Sequence, residues 1–225
     1  AFAVPDGAAE HWRVRYFSPE SEVAFCGHAT IALGAALARH SGDGRYHLKL
    51  NTAEITVEAL AAGSGYSAAL QSPPTSSKPA RPGLLDETLA LFGYQVDQLD
   101  PKLPPAEIHG GADHLVITLK HRADLASMNY DLDAGRALMR KYALVTIMLV
   151  WVRNDTEFDV RNAFASGGVL EDPATGAAAA AFAGYLREDM GEKSVIEAQF
   201  SDQPGSSIRI SGATRMIDAA PAVDR

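Results

Sequence analysis

Along residues 12–17, "WRVRYF", apolar and polar positions alternate with the period of a half-buried strand, and Ser18-Pro19 breaks the run. From 28 to 40 that period is lost. Ala, Ile, Leu and Gly occupy every side until Arg39-His40, which predicts a helix without a polar face, one that belongs inside a protein. Ser41-Gly42-Asp43-Gly44 ends it, and "YHLKLNTAEITVEAL" (46–60) and "GYSAAL" (65–70) predict successive strands that enclose it.

The stretch "SPPTSSKPARPG" (72–83) concentrates Pro and Ser and reads as a linker at a domain boundary. Beyond it the pattern predicts a helix at 84–93, strands near 114–120 and 143–152, a turn at Arg153-Asn154-Asp155 and a hairpin partner at 156–164. Residues 167–189 then bring a second loop and a second helix with almost no polar face. "CGHATIALGAALA" and "PATGAAAAAFAGYL" share small residues at the start, an early Gly and an all-round apolar body, a weak internal repeat of about half the chain.

Composition narrows the function. With 225 residues, 47% of them hydrophobic, the chain has material for one large domain or two modest ones with a real core. A formal net charge of −8 gives no drive toward nucleic acid or an anionic membrane surface, so a small molecule is the expected partner. The single cysteine, Cys26, excludes an internal disulfide and a CxxC metal site and suits a reducing cytoplasm; no metal site is expected. The longest apolar runs, 143–152 and 177–186, fall short of the ~20 residues of a membrane span, and no charged-then-apolar leader is visible at Ala1. A soluble protein is the expectation.

The two apolar helices also suggest chemistry. A helix N-terminus presents unpaired N–H groups and a partial positive charge, so a buried helix opening at a Gly-containing turn suits a carboxylate or phosphate. Two such ends, brought together by a pseudo-twofold, would hold one ligand in the cleft between domains. Each loop adds titratable groups: Cys26 and His28 in the first, Glu171 and Asp172 in the second. An imidazole and a carboxylate across a cleft can move a proton between atoms of a substrate. Racemisation by a pair of thiols is excluded by the lone Cys.

Plainer roles compete at every position. Cys26 suits a small buried hydrophobe, His28 a capping residue, and Asp172 an N-cap with Pro173 at the first helical position. Glu20, Glu22 and Glu171 read as solvated loop charges, and His114 in "GGADHLV" as a core or edge histidine.

Taken together, "FSPESEVAFCGHATIALGAALA", "GGADHLVITL" and "VRNAFASGGVLEDPATGAAAAAFAGYL" resemble the phenazine-biosynthesis PhzF-like family, whose members share the diaminopimelate epimerase fold. The resemblance implies an α+β protein of two similar domains, each a curved, barrel-like mixed sheet wrapped around a central helix. It places them at 1–75 and 84–205, with a closing strand segment at 206–225. It also implies cofactor-independent isomerase chemistry on a small carboxylated substrate, commonly in a homodimer.

By the same resemblance His28 and Asp172 are the catalytic residues, and Gly27, Ala29, Gly176 and Ala177 line the substrate site. Ala177 stands where the family often has a serine, so only backbone is offered there. The family's principal acid/base glutamate would fall immediately before Ala1, with "AFAVP" (1–5) the strand that follows it. A binder of small acids without the proton-transfer glutamate is the rival reading.

Overall fold

The computed structural model describes residues 1–18, 22–154, 157–173, 175–190, 198–199 and 207–214. The chain opens with β1 (Phe2–Pro5), β2 (His11–Phe17), β3 (Glu22–Val23), α1 (Gly27–Ser41), β4 (Gly44–Lys49), β5 (Glu54–Ala62) and β6 (Gly65–Pro74). β7 (Ser76–Pro79), α2 (Pro82–Phe92), β8 (Ala106–His109), β9 (Asp113–Leu119), α3 (Arg122–Ala126) and α4 (Leu132–Lys141) follow. β10 (Thr146–Asn154), β11 (Glu157–Ala163), β12 (Glu171–Asp172), α5 (Gly176–Met190), β13 (Ala198–Gln199) and β14 (Ser207–Thr214) complete the described elements.

These strands form two mixed sheets. The first runs β1-β2-β4-β5-β6-β14-β13 with β3 paired to β2, and the second runs β12-β11-β10-β9-β8-β7. Parallel pairing occurs where a helix intervenes, between β2 and β4 across α1 and between β9 and β10 across α3 and α4. In the second sheet, Leu115, Ile117, Ile147 and Leu149 face the outer helices α2 to α4, while the alternate residues Val116, Met148 and Val150 face α5. Burial on both faces explains why 143–152 shows no period of two. Each fully buried aliphatic side chain there contributes roughly 1.5–3 kcal/mol relative to exposure.

Residues 72–83 are not a linker. β6 continues to Pro74 and β7 begins at Ser76, so the chain passes directly from one sheet to the other at Thr75. The prolines are tolerated because they lie at strand ends and on β7, the edge of its sheet. The crossing is pinned by α5, since a Cβ on Gly184 would come within 2.5 Å of Thr75 Oγ1. Within the closing segment at 206–225, β14 returns to the first sheet, with Ile210 opposite Leu70 and Gly212 opposite Ala68; residues 206 and 215–225 lie outside the described residues.

The two apolar helices are buried differently. α5 is held between both sheets: Ala177, Ala180 and Ala183 join the core of the first, and Ala178, Ala181, Phe182, Tyr185 and Leu186 join the core of the second. Opposite faces of one helix therefore both need apolar residues, and the alanines keep the two sheets close. α1 buries a stripe of Gly27, Thr30, Gly34, Ala35, Leu37 and Ala38 against the first sheet and leaves Ala32 and Ala36 exposed. Gly34 allows that contact, because a Cβ there would lie 2.6 Å from Val57 Cγ2.

Candidate active site

α1 and α5 begin against each other. A Cβ on Gly27 would meet the Gly176 Cα at 2.7 Å, and one on Gly176 would meet the Gly27 Cα at 3.0 Å. Only two glycines let the helix ends approach this closely. The first intrahelical bonds run from Thr30 N–H to the Cys26 carbonyl and from Ala179 N–H to the Thr175 carbonyl, both at 3.0 Å. Helix geometry leaves the N–H groups before them without intrahelical acceptors, so two sets of donors and two positive dipole ends lie side by side.

A cleft of about 430 Å³ opens at this junction. It is bordered by Gly27, His28, Ala29, Asp172, Gly176 and Ala177, all six residues singled out from the sequence, and by Cys26 and Glu171. Its apolar wall includes Phe25, Val145, Phe164 and Val169. This size and mixture suit a small metabolite.

Neither His28 nor Asp172 has the plain role open to it from sequence. The N-cap residue of α1 is Cys26, and its side chain makes no capping hydrogen bond. Asp172 sits in β12, paired with Asn162 of β11, and α5 starts only at Gly176; Pro173 precedes the helix by three residues instead of opening it. The β12 pairing and a hydrogen bond donated by Thr175 Oγ1 to Asp172 Oδ2 at 2.7 Å fix the carboxylate. His28 Nδ1 lies 4.0 Å from that same oxygen, an ion-pair distance when the imidazole is protonated. The histidine side chain is 52% exposed and the carboxylate 15%, so an open group faces a sheltered one across the cleft.

Glu22 and Glu171 are not free solvated charges. Glu22 accepts from Arg15 Nε at 2.9 Å, Arg15 Nη2 at 2.7 Å and Asn51 Nδ2 at 2.6 Å, and the guanidinium holds its carboxyl down at about 2. Glu171 accepts from Arg161 Nε at 3.0 Å and Nη2 at 2.6 Å, while Arg161 Nη1 is tied to backbone carbonyls of the α3 segment. The Arg15 clamp makes Glu22 a poor base. Glu20 lies outside the described residues. Cys26 is half-buried, with Sγ 3.6 Å from His28 Nδ1 and 3.7 Å from Nε2. Among the described residues no group of three or more His, Cys, Asp or Glu could hold a metal ion.

Sequence reading missed two features of this site. Thr30 donates to the Cys26 carbonyl at 2.8 Å and meets the Tyr16 hydroxyl at 2.5 Å, which ties the start of α1 to β2. Burial pushes the Tyr16 phenol up. The other is His114, which borders the cleft together with Thr146.

The sequence matches the phenazine biosynthesis-like (PhzC-PhzF) family over residues 1–215. The chain belongs to this family. It is 29% identical over 181 residues to an uncharacterized isomerase of Deinococcus radiodurans, covering 79% of this chain and 59% of that one. An uncharacterized isomerase of Pseudomonas aeruginosa is 28% identical over 217 residues, 91% of this chain and 71% of the relative. The chain thus spans less than two thirds of the first relative's length.

Among solved structures, a predicted epimerase from Pseudomonas aeruginosa matches with a TM-score of 0.77 at 23% identity, over 94% of this chain and 79% of that one. A hydroxyproline epimerase from Agrobacterium vitis matches with a TM-score of 0.61 at 12% identity, over 94% and 70%. These likenesses establish the fold, the α+β architecture of the diaminopimelate epimerase type, as the sequence motifs imply.

Proposed function

We propose that this family member is a cofactor-independent isomerase or epimerase that moves a proton on a small carboxylated metabolite. The observation that carries the reading is the juxtaposition of the α1 and α5 N-termini at Gly27 and Gly176, with His28 and Asp172 at 4.0 Å beside them. The helix ends would hold the substrate carboxylate, and their N–H groups would also stabilise charge that develops as the C–H proton leaves. His28 and Asp172 would orient the substrate and assist reprotonation. The names of the relatives, isomerases and epimerases, agree with this class of reaction.

The base that removes the proton would be a glutamate immediately N-terminal to Ala1. Ala1 itself borders the cleft, so a residue preceding it starts from the rim of the same cavity as His28 and Asp172. The clamped state of Glu22 points the same way. A homodimer in the cytoplasm belongs to the same proposal. Among the described residues no helix is long and apolar enough to cross a membrane.

The full-length protein should catalyse incorporation of solvent deuterium at the carbon next to the carboxylate of its substrate, followed by mass spectrometry across a panel of amino and hydroxy acids. A non-catalytic binder would gain thermal stability from such acids without label uptake, and that result would overturn the isomerase reading.

A further inference from the structure

Beneath the helix ends the cleft has a floor built by β9 and β10, which pair in parallel with Thr146 opposite His114. His114 is 0% exposed. Its Nδ1 lies 2.7 Å from Thr146 Oγ1, and both residues border the cleft. Its Nε2 is buried and has no hydrogen-bond partner among the described residues.

The chemistry of threonine assigns the tautomer. The Thr146 hydroxyl has one proton to donate and makes no other hydrogen bond among the described residues. Donation from Nδ1 would leave that hydroxyl proton without an acceptor in a buried site. Donation from the hydroxyl to Nδ1 satisfies both atoms and leaves the imidazole proton on Nε2. A buried N–H without a partner costs about 1–3 kcal/mol. Such a cost is recovered when the cleft fills with a molecule that supplies the acceptor.

We propose that His114 is the ligand-recognising donor at the cleft floor, binding through Nε2–H a second oxygen, carbonyl or hydroxyl, on the same small carboxylic acid that the helix ends hold. This deepens the proposed function and rests on the carboxylate seat at Gly27 and Gly176. The substrate class narrows to oxo or hydroxy acids. Burial pushes the imidazole down to about 3, against the opposing charge of Asp113, so the donor stays neutral at physiological pH and reads its oxygen by hydrogen bonding without a charge.

Cyclohexanecarboxylate and its ring-oxo derivatives, titrated into protein labelled with ¹⁵N-histidine, test this. The His114 ring nitrogens should report a neutral Nε2–H tautomer in the free protein. All the acids should shift the His28 ring, whereas only an oxo acid should shift His114 Nε2–H and bind tighter by about tenfold or more, the value of one buried hydrogen bond. That advantage should vanish in His114→Leu and in Thr146→Val, which frees Nδ1, and survive in part in His114→Gln. An Nδ1–H tautomer, or equal affinity for all the acids in the wild type, overturns the role of His114 while leaving the carboxylate seat intact. Acids that shift neither ring overturn the seat itself.

Discussion

Gly27 and Gly176 meet backbone to backbone, closer than any side chain would allow: a Cβ on the first would stand 2.7 Å from the Cα of the second. This contact brings two helix N-termini onto one cleft. Gly27→Ala must push rigid backbone aside, so it should destabilise the protein by roughly 1–3 kcal/mol, as overpacking does. Gly176→Ala, whose Cβ would start at 3.0 Å, should cost less. Both should lower turnover more than stability predicts, and urea unfolding beside the deuterium-exchange assay separates the two effects.

Thr175 acts through Asp172. Removing its hydroxyl with Thr175→Val leaves Asp172 Oδ2 without the 2.7 Å bond that fixes it. Exchange should fall about tenfold, mostly in kcat, whereas Asp172→Asn should lower it about a hundredfold or more, the usual scale of acid–base assistance. Equal KM values for wild type and Thr175→Val would separate positioning from binding.

The Tyr16–Thr30 pair anchors the start of α1. Thr30→Val removes the donor to the Cys26 carbonyl and the acceptor for Tyr16 in one change. A loss of about 1–3 kcal/mol is expected from the buried groups left unpaired. Tyr16→Phe should cost less, and the double variant should fall short of the sum, because both changes break the same bond.

Burial holds the folded His114 down at about 3, with the Asp113 charge opposing and His109 reinforcing the shift. The unfolded chain protonates this imidazole near 6.5, while the folded chain resists. Stability is therefore unaffected above pH 6.5 and falls as pH drops, by about 1.4 kcal/mol per unit until the folded value is reached. Between pH 6.5 and 5, above the carboxylate range, His114→Gln should show a shallower decline than the wild type in chemical denaturation.

Local pattern carried much of the fold. The alternation at 12–17 became β2, the apolar run at 28–40 became α1, and the helix read at 84–93 became α2. α4 went unread although Asp131 caps it through Ala134 N–H and its apolar stripe is clear, because attention to all-apolar runs passes over an ordinary amphipathic helix. The Pro- and Ser-rich stretch at 72–83 was misread because linker composition and edge-strand composition overlap. What decided between them was the pairing of Ser77 with Ile108, a contact remote in sequence.

The sequence by itself determined α1, α2 and α5, most of the strands and six of the residues that border the cleft, since the motifs around Gly27 and Gly176 carry those six in short, contiguous stretches. Only tertiary structure decided what each residue faces. Asp172 could be read as a helix cap until β12 removed it from the helix, and His114 as an ordinary core histidine until the parallel pairing of β9 and β10 set it against Thr146 at the cleft floor. Sequence spacing describes neighbours along the chain, whereas a hydrogen-bond partner or an unpaired buried nitrogen depends on residues brought together across the fold. That is why the cleft's floor was invisible while its rim was legible.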